Sequence, residues 1–299
     1  MLACQRIVNN TVIFGSVATR MQVTSFTDYP PPVNHLYASS TKMPNQSGRF
    51  VWHDLMTSDV EGAKKFYSQV AGWGTQAWEG TSPYTLWTTG GVPIGGVTEI
   101  NDEMRKNNVP PHWLPSVGVD NVDDTLAKAT KLGAKTVAPA MDIPGAGRYA
   151  IFQDPQGATI AIFAGSGEMA AAPGEPPTKG NFSWHELTTS DHNAAFDFYS
   201  KLFGWEKTSE FDMGAMGIYQ MYGQGGVPYG GMMTRTPEMP PPNWLCYINV
   251  DDAKAAAATI EREGGKLMMG PMEVPGGDWV AIAMDPQGAA TAVHSAKPQ

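Results

Sequence analysis

Trp52-His53-Asp54-Leu55 and Trp184-His185-Glu186-Leu187 each set an imidazole beside a carboxylate, so the same chemical grouping occurs twice in one chain. Imidazole is the commonest transition-metal ligand and titrates near neutral pH. A carboxylate partly withdrawn from water has a raised pKa and can serve as a general acid or base. Both tetrads lie in runs that alternate as strands do, and neighbours on a strand face opposite sides. Asp54 and Glu186 therefore share a face with Trp52 and Trp184, and Met56 continues that face. His53 and His185 point the other way, where a structural role, hydrogen-bonded between sheet and helix, is expected. Asp54 and Glu186 are the catalytic candidates; the structural alternative is that each accepts hydrogen bonds from its surroundings. Trp52, Met56 and Trp184 are the expected ligand-contacting residues.

The elements that position these groups are duplicated too. Phe50 to Asp59 returns as Phe182 to Asp191, Phe66-Tyr67-Ser68 as Phe198-Tyr199-Ser200, and Gly72-Trp73 as Gly204-Trp205, without a gap. A repeat of this length is a duplicated folding unit. Within each half the periodicity runs strand, helix, then three short strands, and then the same order again. Ser58-Asp59-Val60-Glu61 has the pattern of a capping box at the first helix, and Gly72 ends that helix. The second unit starts at Leu114 and contains an Asp-Pro-Gln-Gly turn at 154–157, which returns at 285–288. The predicted fold class is α+β, with four β-α-β-β-β modules paired into two domains. Residues 48–165 form the first and 181–297 the second, each with its own core; 166–180 are a Pro- and Ala-rich linker, and 1–47 a flexible tail outside the fold. In the second domain Tyr247 and Asn249 fall on the cavity side of their strand, where the first has Ser116 and Gly118. That makes Tyr247 and Asn249 further ligand-binding candidates.

Composition bounds the partners. The net charge of -9 on 299 residues, without a block of like charge, disfavours a phosphate-neutralising nucleic-acid surface. No apolar run is long enough for a membrane span. Cys4 and Cys246 lie far apart, which provides neither a disulfide framework nor a metal knuckle and points to a reducing, cytoplasmic setting. Gly90-Gly91-Val92-Pro93, repeated at 225–228, lacks the following helix and Lys of a phosphate loop and reads as turn and close-packed strand.

The modules, the Thr-Ser-Asp strand end, the helix Phe-Tyr, the Gly-Trp after it and the Asp-Pro-Gln-Gly turn resemble the vicinal oxygen chelate superfamily of glyoxalases, bleomycin-resistance proteins and extradiol dioxygenases. The resemblance covers residues 49 to 295. It implies a curved sheet cupped around a small-molecule cavity in each half. It also implies, in metal-using members, a His on the first strand of each module and a Glu on the last. Carried onto this chain, those places fall on Trp52 and Trp184, Leu114 and Leu245, and Ala161 and Ala292. Indole, isobutyl and methyl groups offer no lone pair to a cation, so no metal site and no cofactor are expected. The expected partner is a small, flat or partly apolar organic ligand, bound as in bleomycin-resistance-like members. The alternative is a glyoxalase-, dioxygenase- or hydroxylase-like enzyme that uses Asp54 and Glu186.

Overall fold

The computed structural model describes residues 47–78, 83–165 and 178–296. Residues 1–46 of the expected tail and 166–177 of the expected linker lie outside the described residues. The first half comprises β1 (Phe50–Thr57), α1 (Val60–Val70), β2 (Gly74–Ala77), β3 (Thr85–Thr89), β4 (Val92–Glu99), α2 (Asp102–Lys106), β5 (His112–Gly118), α3 (Val122–Lys131), β6 (Lys135–Ile143), β7 (Gly147–Gln153) and β8 (Thr159–Gly165). The second comprises β9 (Phe182–Thr189), α4 (His192–Phe203), β10 (Glu206–Asp212), β11 (Ile218–Gln224), β12 (Val227–Thr234), β13 (Asn243–Asn249), α5 (Ala253–Arg262), β14 (Lys266–Glu273), β15 (Trp279–Met284) and β16 (Ala290–Ser295). The four β-α-β-β-β modules are present, as the repeat requires.

Each half forms one eight-stranded sheet, ordered β2-β3-β4-β1-β5-β8-β7-β6 in the first and β10-β11-β12-β9-β13-β16-β15-β14 in the second. The first strands of the two modules, β1 and β5, pair antiparallel at the centre, and each is flanked by the last strand of its own module, parallel. This places Trp52 opposite Ser116, and Ser116 opposite Ala161, in one row across the sheet.

Local sequence explains the helix ends with one correction. The cap of α1 is Asp59, whose carboxylate accepts from Gly62 N, not Ser58. Glu61 pairs with Lys64 instead of reaching back. The equivalent Asp191 caps α4. Helix α2 was not expected: five residues are too few for a periodic signal, though its Asn101 cap and the order acid then base are legible afterwards.

The larger correction concerns the core. The two largest clusters are shared between the halves, and smaller ones under each cup stay within one half. One cluster joins Leu55, Phe66, Tyr67, Trp73 and Trp113 of the first half to Ile248, Ala253, Ile260 and Val293 of the second. A second joins Val117, Phe152 and Ile162 to Leu187, Phe198, Tyr199 and Trp205. Helix α1 packs on α5, and α3 on α4. A sheet with one face cupped must bury its other face, and here that face is buried against the opposite half. The repeated motifs are the fasteners. Tyr67 OH donates to Asp285 Oδ2 at 3.1 Å and accepts from Trp113 Nε1 at 3.0 Å. Tyr199 OH donates to Asp154 Oδ2 at 3.0 Å and accepts from Trp244 Nε1 at 3.3 Å. The Asp-Pro-Gln-Gly turns thus dock the helix tyrosine of the other half. Trp73 and Trp205 donate across the same boundary, to the carbonyls of Gly180 and Gly48. The end of the linker is held as well, by the Lys179–Asp251 ion pair.

Candidate functional site

Trp52, Asp54, Leu114, Ser116, Ala161 and Phe163 line a cavity of about 80 Å³ on the free face of the first sheet. Trp78, Tyr84, Ile143 and Tyr149 complete its walls. Strand alternation alone puts Trp52 with Asp54, and the β1/β5 register brings Leu114 and Ser116 beside them. Asp54 is 5 % exposed. Its Oδ1 accepts from Tyr84 OH at 2.5 Å and from Trp52 Nε1 at 3.2 Å, while Trp52 Nε1 also donates to the Tyr84 oxygen at 2.8 Å. Burial pushes the Asp54 carboxyl up to about 6, against the opposing pull of the Tyr84 and Trp52 hydrogen bonds.

The second half repeats the triad with changes. Trp184 Nε1 donates to Tyr219 Oη at 2.8 Å, and Glu186 Oε2 accepts from Tyr219 OH at 2.9 Å and Tyr247 OH at 3.2 Å. Burial raises the Glu186 carboxyl, again opposed by its two phenol donors. This cup is the more open: Glu186 is half-buried where Asp54 is buried. Phe211 stands opposite Tyr219, and Met269 and Met272 stand opposite Ile282 and Val280, which pack with Trp184 and Tyr247. Directly opposed residues share a sheet face, so these three line the second cup. They are 45 %, 38 % and 42 % exposed.

The expected ligand residues are not all in the walls. Met56, on the Trp52 face by alternation, is 3 % exposed and packs with Ile100 and Leu114 under a cover that includes Met104 of α2. The cavity ends before it, because α2 closes that end of the sheet. Asn249 lies at the end of β13 opposite His294, its backbone exchanging hydrogen bonds with Gly180 and Asn181. His294, on β16, contacts Ser183 and Asp278.

Sequence reading missed Tyr84 and Tyr219. They recur at the spacing that relates Gly90-Gly91-Val92-Pro93 to its second copy, a signal that was available. Each lies flat across a glycine: a Cβ at Gly96 would fall on the Tyr84 phenol, and one at Gly231 on the Tyr219 ring. Gly231→Ala is therefore expected to lift Tyr219 from Glu186 and cost about 1–3 kcal/mol by overpacking, read as a lower urea midpoint; an unchanged midpoint would show that the phenol is free to move.

His53 and His185 face away from the cups, as alternation requires, but they do not bridge sheet and helix. Their Nε2 atoms meet each other across the boundary between halves at 2.7 Å. His53 stacks on Phe182 and His185 on Phe50, at centroid separations of 3.7 and 3.6 Å. Burial lowers the pKa of both, His185 to about 3.

The family model of the Glyoxalase/Bleomycin resistance protein/Dioxygenase superfamily matches residues 49–162 and again 181–293. The chain belongs to this superfamily. Among relatives, CFP32 of Mycobacterium tuberculosis, provisionally named a glyoxylase, is 32% identical over 253 residues, covering 83% of this chain and 95% of that protein. The anthracycline biosynthesis protein DnrV of Streptomyces peucetius is 27% identical, covering 82% and 92%. The crystal structure of the Mn(II)-bound glyoxalase from Novosphingobium aromaticivorans superposes with a TM-score of 0.58 at 15% identity, over 84% of this chain and 82% of that one. This last likeness shows the fold alone. In the first cup Trp52, Leu114 and Ala161 face the cavity, and Asp54 is the one carboxylate in its walls among the described residues. A catalytic divalent cation needs about three protein N or O ligands and an open position.

Proposed function

We infer that the protein binds small, flat, partly apolar organic molecules in its cups without a superfamily metal. The observation that carries this reading is the wall of the first cavity, where Trp52, Leu114 and Ala161 present apolar surface around one hydrogen-bonded carboxylate. Pockets of this composition take their affinity from apolar contact and their orientation from a few polar groups. Size divides the two cups. The first, at about 80 Å³, is smaller than the roughly 150 Å³ cavity that admits benzene, and suits a ligand of few atoms. The second, with Phe211, Met269 and Met272 exposed on its face and Glu186, Tyr219 and Tyr247 at its floor, suits a larger ring system bearing a polar group. The anthracycline biosynthesis role in the name of DnrV is of this chemical kind.

A second reading has its own observation. A carboxyl poised at about 6 beside a phenol is suited to proton transfer. Asp54 would move a proton to or from a bound substrate, with Trp52 and Tyr84 fixing its direction. One experiment separates the two. Tryptophan fluorescence and thermal shift are followed across a panel of hydroxylated polycyclic aromatics, catechols and hemithioacetals, with product formation measured in parallel, with and without added Fe(II), Ni(II) or Zn(II). We expect saturable binding to the polycyclic members, weakened about tenfold or more in Trp184→Phe because the smaller ring offers less stacking area and the Nε1 donor to Tyr219 is lost, and no product. Turnover that disappears in Asp54→Asn or Glu186→Gln would replace the binding reading with the enzymatic one.

A further inference from the structure

The pair of histidines on the boundary between halves has a proton problem. His185 Nδ1 lies 3.3 Å from the Tyr229 carbonyl. Nε2 of His53 faces His185, which leaves Nδ1 for the nearby Ile94 carbonyl. Ile94 and Tyr229 are equivalent positions, each following a Gly-Gly-Val-Pro turn. A carbonyl only accepts, so each Nδ1 is placed to carry the ring proton of a neutral imidazole. In that tautomer both Nε2 atoms present lone pairs to each other at 2.7 Å. Two lone pairs at that distance repel unless an electrophile sits between them. A shared proton would leave a net positive charge on two buried imidazoles in a shell of Phe50 and Phe182 rings.

A third donor is at hand. Cys246 stands directly opposite His185 across the β9/β13 pair, and its sulfur and the two imidazole nitrogens lie within 4.8 Å of one another, all three residues buried. The equivalent place in the first half, opposite His53, holds Pro115. The repeat therefore supplies two ligands by symmetry and a third by departing from it.

We propose that His53, His185 and Cys246 form a closed three-coordinate site for a soft monovalent cation of the copper(I) type, tying the two halves together away from both cups. Charge selects the ion. With Cys246 as thiolate and two neutral imidazoles, a monovalent cation makes a neutral centre, whereas zinc would leave a positive charge that no carboxylate of the cluster offsets among the described residues. Softness agrees, since thiolate and imidazole together suit copper(I). On binding, the thiol proton of Cys246 is released to solvent and the sulfur lone pair forms the bond; no electron is transferred. A metal–imidazole bond of about 2.0–2.1 Å in trigonal geometry requires the two Nε2 atoms to part by under an ångström from their 2.7 Å separation. Because the site is enclosed, it is loaded as the halves close on each other during folding.

The test uses the full chain carrying Cys4→Ser, so that Cys246 is its sole thiol. It is refolded anaerobically with ascorbate and copper(I), then passed through gel filtration with bicinchoninate as competitor. We expect one copper retained per chain, near-ultraviolet thiolate-to-copper absorption, a raised Tm, and X-ray absorption showing two nitrogens and one sulfur around the metal. Cys246→Ser should loosen copper by about a hundredfold or more, without altering any ligand response of the cups. Exposed methionines provide the competing outcome: copper held equally well by Cys246→Ser, or a coordination shell without the two nitrogens, assigns it to Met268, Met269 and Met272 and overturns the site. Retention of no copper by the Cys4→Ser chain, or tighter retention of zinc, overturns it as well. The X-ray absorption result stands even if Cys246→Ser does not fold.

Discussion

Replacing Trp205 with alanine is expected to lower stability by about 3–5 kcal/mol, the range for deleting a buried tryptophan, and to unfold both halves in one step. Trp205 belongs to the second half by sequence, yet its indole is 2 % exposed within a cluster that includes Val117, Phe152 and Ile162 of the first. Its Nε1 donates to the Gly48 carbonyl at 2.6 Å, and its ring lies 4.5 Å from Tyr222 and 5.5 Å from Phe50. The cavity left by alanine would open to both halves at once. Urea unfolding followed by far-ultraviolet circular dichroism and by fluorescence should show one coincident transition in wild type and variant, at a lower midpoint in the variant. If Trp205→Ala instead melts in two steps, one at the wild-type midpoint, the halves are independent and the shared core is not what holds them.

Asp54→Asn is expected to stabilise the protein at pH 7, by up to about 3 kcal/mol at roughly 1.4 kcal/mol per pKa unit. The folded state holds the Asp54 proton up to about pH 6, where the unfolded chain releases it near 3.8. Between those values the folded state binds more protons, so the contribution of Asp54 to stability falls as pH rises through this window and stays low above it. Asparagine keeps an oxygen to accept from Tyr84 and Trp52 and carries no charge to bury. Glu186, Asp154 and Asp285 are also raised by burial, so the wild-type profile is a sum. The difference between variant and wild type isolates Asp54, and it should grow from near zero at pH 4 to its full size above pH 6. A variant less stable than wild type at pH 7 would mean that the Tyr84 and Trp52 donors outweigh the cost of burial.

The amino-acid sequence by itself determined the tandem repeat, the order of elements within each module, and the side of the strand on which each candidate residue stands. These properties depend on covalent neighbours: period-two alternation is enough to put Trp52 with Asp54 and His53 opposite, and the recurrence of Phe-Tyr, Gly-Trp and Asp-Pro-Gln-Gly is enough to show duplication. What meets across the chain was decided only by tertiary structure. Tyr67 reaches Asp285, and Tyr199 reaches Asp154, pairings that no spacing within one half announces. His53 and His185 look like two equivalent structural residues until the halves pack and bring them to 2.7 Å. Tyr84 becomes a partner of Asp54 because β4 presents a glycine for it to cross. Met56 leaves the cavity wall because a five-residue helix, too short to give a periodic signal, covers its end of the sheet. The two cups, alike in their Trp-carboxylate-Tyr triads, differ in openness through edge strands whose burial depends on how the surrounding chain folds back. Alternation tells which way a side chain points; what it meets there is set by long-range packing, which has no counterpart in local sequence.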